Sequence, residues 1–121
     1  MLFRNDLDEL LAFEERTRAE ALDRLKSLLG NGGKVTTEIA ETVKGARYGR
    51  IDRLFLSDGQ KLWGLFNESE DRVVAHREAI EGGDDLFDYA ALMTSRQSGN
   101  VTLVDRSQLP PDGRAAAILH Y

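Results

Sequence analysis

The chain has 121 residues, 41% hydrophobic and 31% charged, and its 21 acidic and 16 basic side chains leave a formal charge of -5. That length suits one domain around one core, and the composition is that of a folded globular chain and not a disordered one. Cysteine is absent, which excludes disulfides, thiol nucleophiles and thiolate metal sites and makes a cytoplasmic location the natural expectation.

The negative balance has the wrong sign for wrapping nucleic acid broadly, so any RNA contact has to be local. No apolar run approaches the roughly 20 residues of a membrane-spanning helix. Met1 to Asp8 lacks the apolar stretch of a signal peptide, so neither insertion nor secretion is expected.

Asn5 to Leu29 contains no Pro or Gly and places Leu7, Leu11, Leu22, Leu25 and Leu29 at helical spacing, which predicts one long helix. Its middle, Glu14 to Arg18, is polar all round, so apolar contacts are confined to its two ends. Residues 1–20 thus read as a peripheral or linker helix on a single domain spanning 1–121. Met1-Leu2-Phe3 and Leu7-Leu10-Leu11 are costly to leave in water, at ~25 cal/mol per Å² of apolar surface. Self-association through this helix, or an upstream domain, is expected to cover them. Gly30-Asn31-Gly32-Gly33 then stops the helix, because these residues take left-handed backbone angles cheaply.

A second helix is expected from about Thr37 to Tyr48, with Thr36 or Thr37 as N-cap, Ile39, Val43 and Ala46 as its apolar stripe and Gly49 just past its end. Arg50 to Ser57 carries Ile51, Leu54, Phe55 and Leu56, an apolar density that suits a central strand covered on both faces. Asp58-Gly59 is a two-residue turn signal, and Lys61 to Phe66, with the only tryptophan, reads as the returning partner strand. Between Glu68 and Asp88 lie eight acidic residues and two arginines, a negative face holding a short edge strand at Val73-Val74-Ala75. A third helix begins near Asp84 or Asp85, buries Leu86, Tyr89 or Ala90, and Met93, and ends at Gly99. Val101 to Val104 is a short strand, Leu109-Pro110-Pro111-Asp112-Gly113 breaks the chain, and Ala115 to Leu119 supplies the last strand. This alternation predicts an α/β fold: a three-layer α/β/α sandwich with a mixed, central sheet of four to five strands.

Several residue groups bear on chemistry. Gly30-Asn31-Gly32-Gly33-Lys34 has the look of a phosphate loop, but it comes after a helix instead of a strand, and Val35 stands where that motif needs Ser or Thr. His76 and His120 lie far apart in sequence with no nucleophile elbow nearby, so catalysis by either ranks last among the readings. Glu81, Asp84, Asp85 and Asp88 offer carboxylates to a hard cation, yet acids in a first helical turn also complement the helix dipole, which accounts for Asp84 and Asp85 without a metal. No catalytic residue, metal site or cofactor is therefore assigned. Lys44, Arg47, Tyr48, Arg50 and Arg53 gather four cations and a stacking ring in ten residues, the equipment of a local RNA or phosphate contact. The competing reading places Lys44 and Arg47 in the last turns of a helix, where cations offset the negative end of its dipole.

Val35-Thr36-Thr37-Glu38, leading to Tyr48-Gly49-Arg50-Ile51-Asp52-Arg53-Leu54-Phe55-Leu56, resembles the helix, glycine and strand of the third domain of archaeo-eukaryotic peptide-chain release factors and Pelota, and of their bacterial relatives in particular. Also similar are Leu62-Trp63-Gly64-Leu65-Phe66, Asp84-Asp85-Leu86-Phe87-Asp88 and the ending Gly113-Arg114-Ala115-Ala116-Ala117-Ile118-Leu119-His120-Tyr121. The resemblance covers about residues 20 to 121. It implies the fold shared with kink-turn-binding ribosomal proteins, which read RNA through a Gly-x-Asn-Glu-x-x-Lys run. With the common glycine on Gly49, that motif's Glu and Lys fall on Glu41 and Lys44, but its Gly falls on Glu38 and its Asn on Ala40. The Gly-Gly-Gln of peptide release is missing too, since Gly32-Gly33 is followed by Lys34.

The resemblance therefore implies a non-enzymatic binding module of a bacterial, release-factor-like protein, forming the C-terminal part of a longer chain and docking a protein partner of the translation apparatus. Local RNA binding through Lys44, Arg47, Tyr48 and Arg50 is the alternative.

Overall fold

A computed structural model describes residues 2–57, 59–76, 84–110 and 114–120, with only the backbone described for 2–6, His76 and Asp84. The chain divides into two compact units, Met1–Gly33 and Lys34–Tyr121.

The first unit is a single helix, α1 (Leu2–Asn31), longer at both ends than the apolar spacing indicated. At 30 residues it runs ~45 Å. Gly32 takes φ +69° and the Gly33 N–H donates to the Leu28 carbonyl at 2.8 Å. This six-to-one closure is a helix stop that uses the glycine's freedom. The next element is a strand, so the glycine run does not open onto the helix N-terminus that a phosphate loop requires. Leu7, Leu10, Leu11 and Phe13 are exposed along this helix.

The second unit runs β1 (Val35–Thr36), α2 (Ile39–Arg47), β2 (Ile51–Ser57), β3 (Trp63–Asn67), β4 (Arg72–His76), β5 (Asp84–Asp85), α3 (Leu86–Arg96), β6 (Asn100–Val104) and β7 (Ala115–Leu119). A four-stranded sheet has the order β1-β7-β2-β6, with β2 antiparallel to β7 and parallel to β6. The fold is α/β with a mixed sheet, as the alternation of elements predicted, and β2 sits inside it. Leu54 and Phe55 point to opposite faces and neither is exposed, which is why the strand tolerates so dense an apolar run. Val43 and Ala46 of α2 and Leu86, Phe87 and Ala90 of α3 pack with Leu54, Leu56, Ala115 and Ala117 into one core on one sheet face.

Two local devices set the phase of β2. Asp52 is an extra residue between the pairs Ile51–Leu119 and Arg53–Ile118. This bulge turns Ile51 onto the core face with Leu54 and Leu56, while Arg53 keeps its regular alternation and lies on the opposite face with Phe55. The turn from α2 into β2 is closed by Gly49 at φ +71°, with the Arg50 N–H on the Gly45 carbonyl at 2.8 Å and the Gly49 N–H on Ala46 at 3.4 Å. At the other end of α2 the N-cap is Glu38, whose side chain makes no capping bond. Of Thr36 and Thr37, the two expected caps, Thr36 instead accepts the Glu38 N–H on its hydroxyl at 3.1 Å, two residues before the cap.

The returning partner of β2 is not β3. Asp58 lies outside the described residues, and β3 pairs with β4 and β5 in a separate three-stranded sheet of order β4-β3-β5. Gly64 explains the placement: a Cβ there would run into the Val74 carbonyl and come within 2.7 Å of Leu86 Cδ1. Only a bare backbone lets β3 lie beneath the start of α3. Val73 to Ala75 falls on the outer strand β4, as read from the sequence.

Candidate functional site

The candidate site grows from the last turn of α2. Lys44 and Arg47 are three residues apart and Tyr48 sits next at the C-cap, so all three project from neighbouring positions of one helix end. Arg50 comes two residues later and lays its guanidinium over the Tyr48 ring, 5.5 Å from the centroid. These four sequence-predicted residues are brought together. Arg53 leaves the group, because alternation along β2 puts it on the sheet face opposite Leu54, where its Nη1 donates to the Thr102 hydroxyl at 2.6 Å.

The turn between β3 and β4 comes down on this cluster. Asn67 Oδ1 accepts the Ser69 N–H, the Glu70 N–H and the Ser69 hydroxyl at 3.1, 3.2 and 2.7 Å. That Asx turn shapes the acidic loop, and Asp71 closes it with φ +54°, a left-handed conformation that Asp tolerates better than most residues. Glu68 and Asp71 thereby face α2. Arg47 Nε donates to Glu68 Oε1 at 2.9 Å, Lys44 Nζ lies 3.6 Å from Asp71 Oδ2, and the Tyr48 hydroxyl donates to Asp71 Oδ1 at 3.1 Å. Tyr89 of α3 adds a longer bond from its hydroxyl to Glu68 Oε1 at 3.4 Å and packs edge-on against Phe66, ring centroids 5.9 Å apart. Gln97 Nε2 donates to the Arg47 carbonyl at 3.3 Å, which engages the end of α2 from the other side.

The electrostatics arise from these contacts. The Glu68 carboxylate raises the Arg47 guanidinium above its ordinary pKa, first through the hydrogen bond and then through its charge. Accepting from Tyr48, the Asp71 carboxylate holds that phenol above the ordinary tyrosine range, with burial adding to the effect. Tyr89 is raised chiefly by burial and secondly by the negative charge of Glu68. The cluster is a surface one, with the Arg47 side chain 40% exposed and Glu68 54%. It is a latch of charge-assisted bonds, in which carboxylates engage Lys44, Arg47 and Tyr48.

Glu68, Asp71 and Tyr89 did not stand out in the sequence as members of this site. The available signal was the acidic run after Asn67, but its targets lie more than 20 residues away, at the end of a helix. Of the carboxylates that could hold a cation, Asp85 has another use. Asp85 Oδ1 accepts the Phe87 N–H and the Leu62 N–H, both at 3.1 Å, so it caps α3 and ties it to the segment entering β3. Glu81 and the Asp84 side chain lie outside the described residues, and Asp88 is exposed in the first turn of α3. His76 pairs with Trp63 in the three-stranded sheet, while His120, whose N–H bonds the Arg50 carbonyl at 2.8 Å, comes just after the last strand of the other. Glu38 and Ala40, the two positions that depart from the kink-turn motif, lie at the N-cap and in the first turn of α2.

No protein-family model matches the chain, and no curated protein matches it. Solved structures do. The C-terminal domain of a peptide chain release factor from Methanosarcina mazei superposes with a TM-score of 0.70 at 18% identity, over 99% of this chain and 91% of that one. The fold is that of a release-factor C-terminal domain. Pelota from Archaeoglobus fulgidus also matches, with a TM-score of 0.57 and 19% identity, over 99% of this chain and 34% of the Pelota chain. The present chain thus spans about a third of Pelota. At these identities the likeness to the release-factor domain is one of fold, and the roles of Lys44, Arg47 and Tyr48 rest on their own contacts in this chain.

Proposed function

We propose that this chain is a non-catalytic, cytoplasmic docking module of a bacterial translation factor related to release factors, and that its partner is a protein of the translation apparatus. The fold shared with a release-factor domain supports the link to translation. The observation that favours protein docking over RNA binding is the latch: Lys44, Arg47 and Tyr48 already bond to the chain's own Glu68 and Asp71. A nucleic-acid phosphate would have to displace carboxylates held at hydrogen-bonding distance, against an overall charge of -5. Among the described residues no three His, Asp or Glu side chains group as a metal site would need, and no helix is long and apolar enough to cross a membrane.

The test is capture of the purified chain on ribosomes and on a set of purified translation proteins at low salt. Retention by a defined protein component, insensitive to nuclease, is the expected result. Retention lost on nuclease treatment, or none at all, removes the proposal.

A further inference from the structure

The four-stranded sheet ends in β6, whose inner side pairs with β2 and whose outer side has no partner among the described residues. An open edge is normally guarded by a charge, a proline or a bulge on the strand itself. The strand Asn100–Val104 has none of these. Val101 and Leu103 share one face of the strand, the face that carries the helices, since they pair with Leu54 and Leu56 of the core. Leu103 is 50% exposed there, and Leu92 of α3 is 49% exposed. Ala91, Leu92 and Val101 line an open groove of about 690 Å³ along α3, bordered by the carboxylates of Asp85 and Asp88.

A strand edge that no described residue pairs with, beside an apolar shelf, defines the shape of the occupant. We infer that the β6 edge and the α3 groove together bind an extended peptide of a partner protein, which adds as a fifth strand to the sheet. Its alternate apolar side chains rest on Leu92, Val101 and Leu103, and a lysine or arginine meets Asp88. Main-chain bonds to β6 supply the affinity, and the shelf and the acids supply the selectivity. The local charge chooses this occupant over a second copy, because pairing two such edges, each bordered by Asp85 and Asp88, would set like charges against each other. The inference rests on the docking reading and deepens it by naming the surface and the form of the partner segment.

The experiment starts with a library of random short peptides displayed on phage and selected against the whole chain. The recovered peptides are synthesised and titrated into the isotope-labelled chain by NMR. Sequences that alternate apolar and polar residues and carry Lys or Arg are expected, with shifts confined to β6 and the outer side of α3. Methylating alternate backbone nitrogens of the peptide, which leaves the protein untouched, should weaken binding at least about tenfold. The double variant Leu92→Lys with Leu103→Lys, and separately Asp88→Lys, should each do the same, with the circular dichroism spectrum unchanged. Failure to select any peptide, shifts mapping elsewhere, indifference to N-methylation, or dimerisation of the free chain through β6 would each overturn the inference. The two readings fail separately. Capture of a translation protein that survives Leu92→Lys with Leu103→Lys refutes this surface alone, whereas peptide binding at β6 without any such capture refutes only the link to translation.

Discussion

Asp85 joins a helix to a sheet through one oxygen, and replacing it separates the two interactions. In Asp85→Ala the first turn of α3 loses its cap, and the Leu62 N–H loses its acceptor. Loss of the cap costs about 1 kcal/mol. Leu62 is 5% exposed, so its stranded donor adds about 1 to 3 kcal/mol. The sum is about 2 to 4 kcal/mol, or a fall in Tm of roughly 10 to 30 °C for a unit of this size. Asp85→Asn keeps an oxygen that can accept both bonds, and Asn caps helices as well as Asp does, so it should lose under about 1 kcal/mol. Urea unfolding followed by the fluorescence of Trp63, which pairs with Asp85 across β3 and β5, measures both variants. Millimolar calcium should leave the ranking and the wild-type midpoint unchanged. An Asn variant as damaged as the Ala variant, or a wild-type midpoint raised by calcium, would refute the capping role and restore the cation reading.

The same geometry sets other outcomes. Gly64→Ala forces a methyl against the Val74 carbonyl and Leu86 and should cost about 1 to 3 kcal/mol in the same assay, while Gly30→Ala, in helix α1 with open space around its Cβ position, should cost nothing. Ultraviolet titration should show Tyr48 and Tyr89 ionising above the ordinary tyrosine range, with Asp71→Asn lowering Tyr48. Because both phenols are raised in the folded state, their stabilising effect is complete below the ordinary tyrosine range and is lost as the pH rises through the raised values. Tyrosines that titrate together at the ordinary value would contradict the latch. Light scattering of the whole chain should show association that Leu10→Glu with Leu11→Glu abolishes, since those side chains lie exposed on α1; a wild type monomeric at every concentration would end that expectation.

Features governed by local chemistry were legible in the sequence. Gly32 and Gly49 end helices by the left-handed closure that the residue type announces, and Ala115–Leu119 is a strand over the span its apolar run indicated. The sheltered position of β2 could be read from Leu54-Phe55-Leu56, because only a strand buried on both faces can carry so unbroken a run. Long-range choices were not legible. Asp58-Gly59 indicates a hairpin between β2 and β3, but β3 pairs with β4 and β5, where Gly64 leaves room for the Val74 carbonyl and Leu86. Arg53 is close in sequence to Lys44 and Arg47, but alternation with Leu54 puts it on the face of Phe55, and it is Ile51 whose phase the inserted Asp52 reverses. Half of the candidate site, its cations and aromatic, could be read directly. The acids that occupy it could not, since Glu68 and Asp71 reach it only through the fold of a hairpin in another sheet.

The most direct test of the latched site is a gel-shift titration of ribosomal RNA at low and moderate salt, with the wild type, Arg47→Glu with Arg50→Glu, and Glu68→Gln with Asp71→Asn. The wild type should give no salt-sensitive shift, and one should emerge only when Glu68 and Asp71 are neutralised. A shift by the wild type that vanishes with Arg47→Glu and Arg50→Glu would show that the cations are free to bind RNA and would contradict the account.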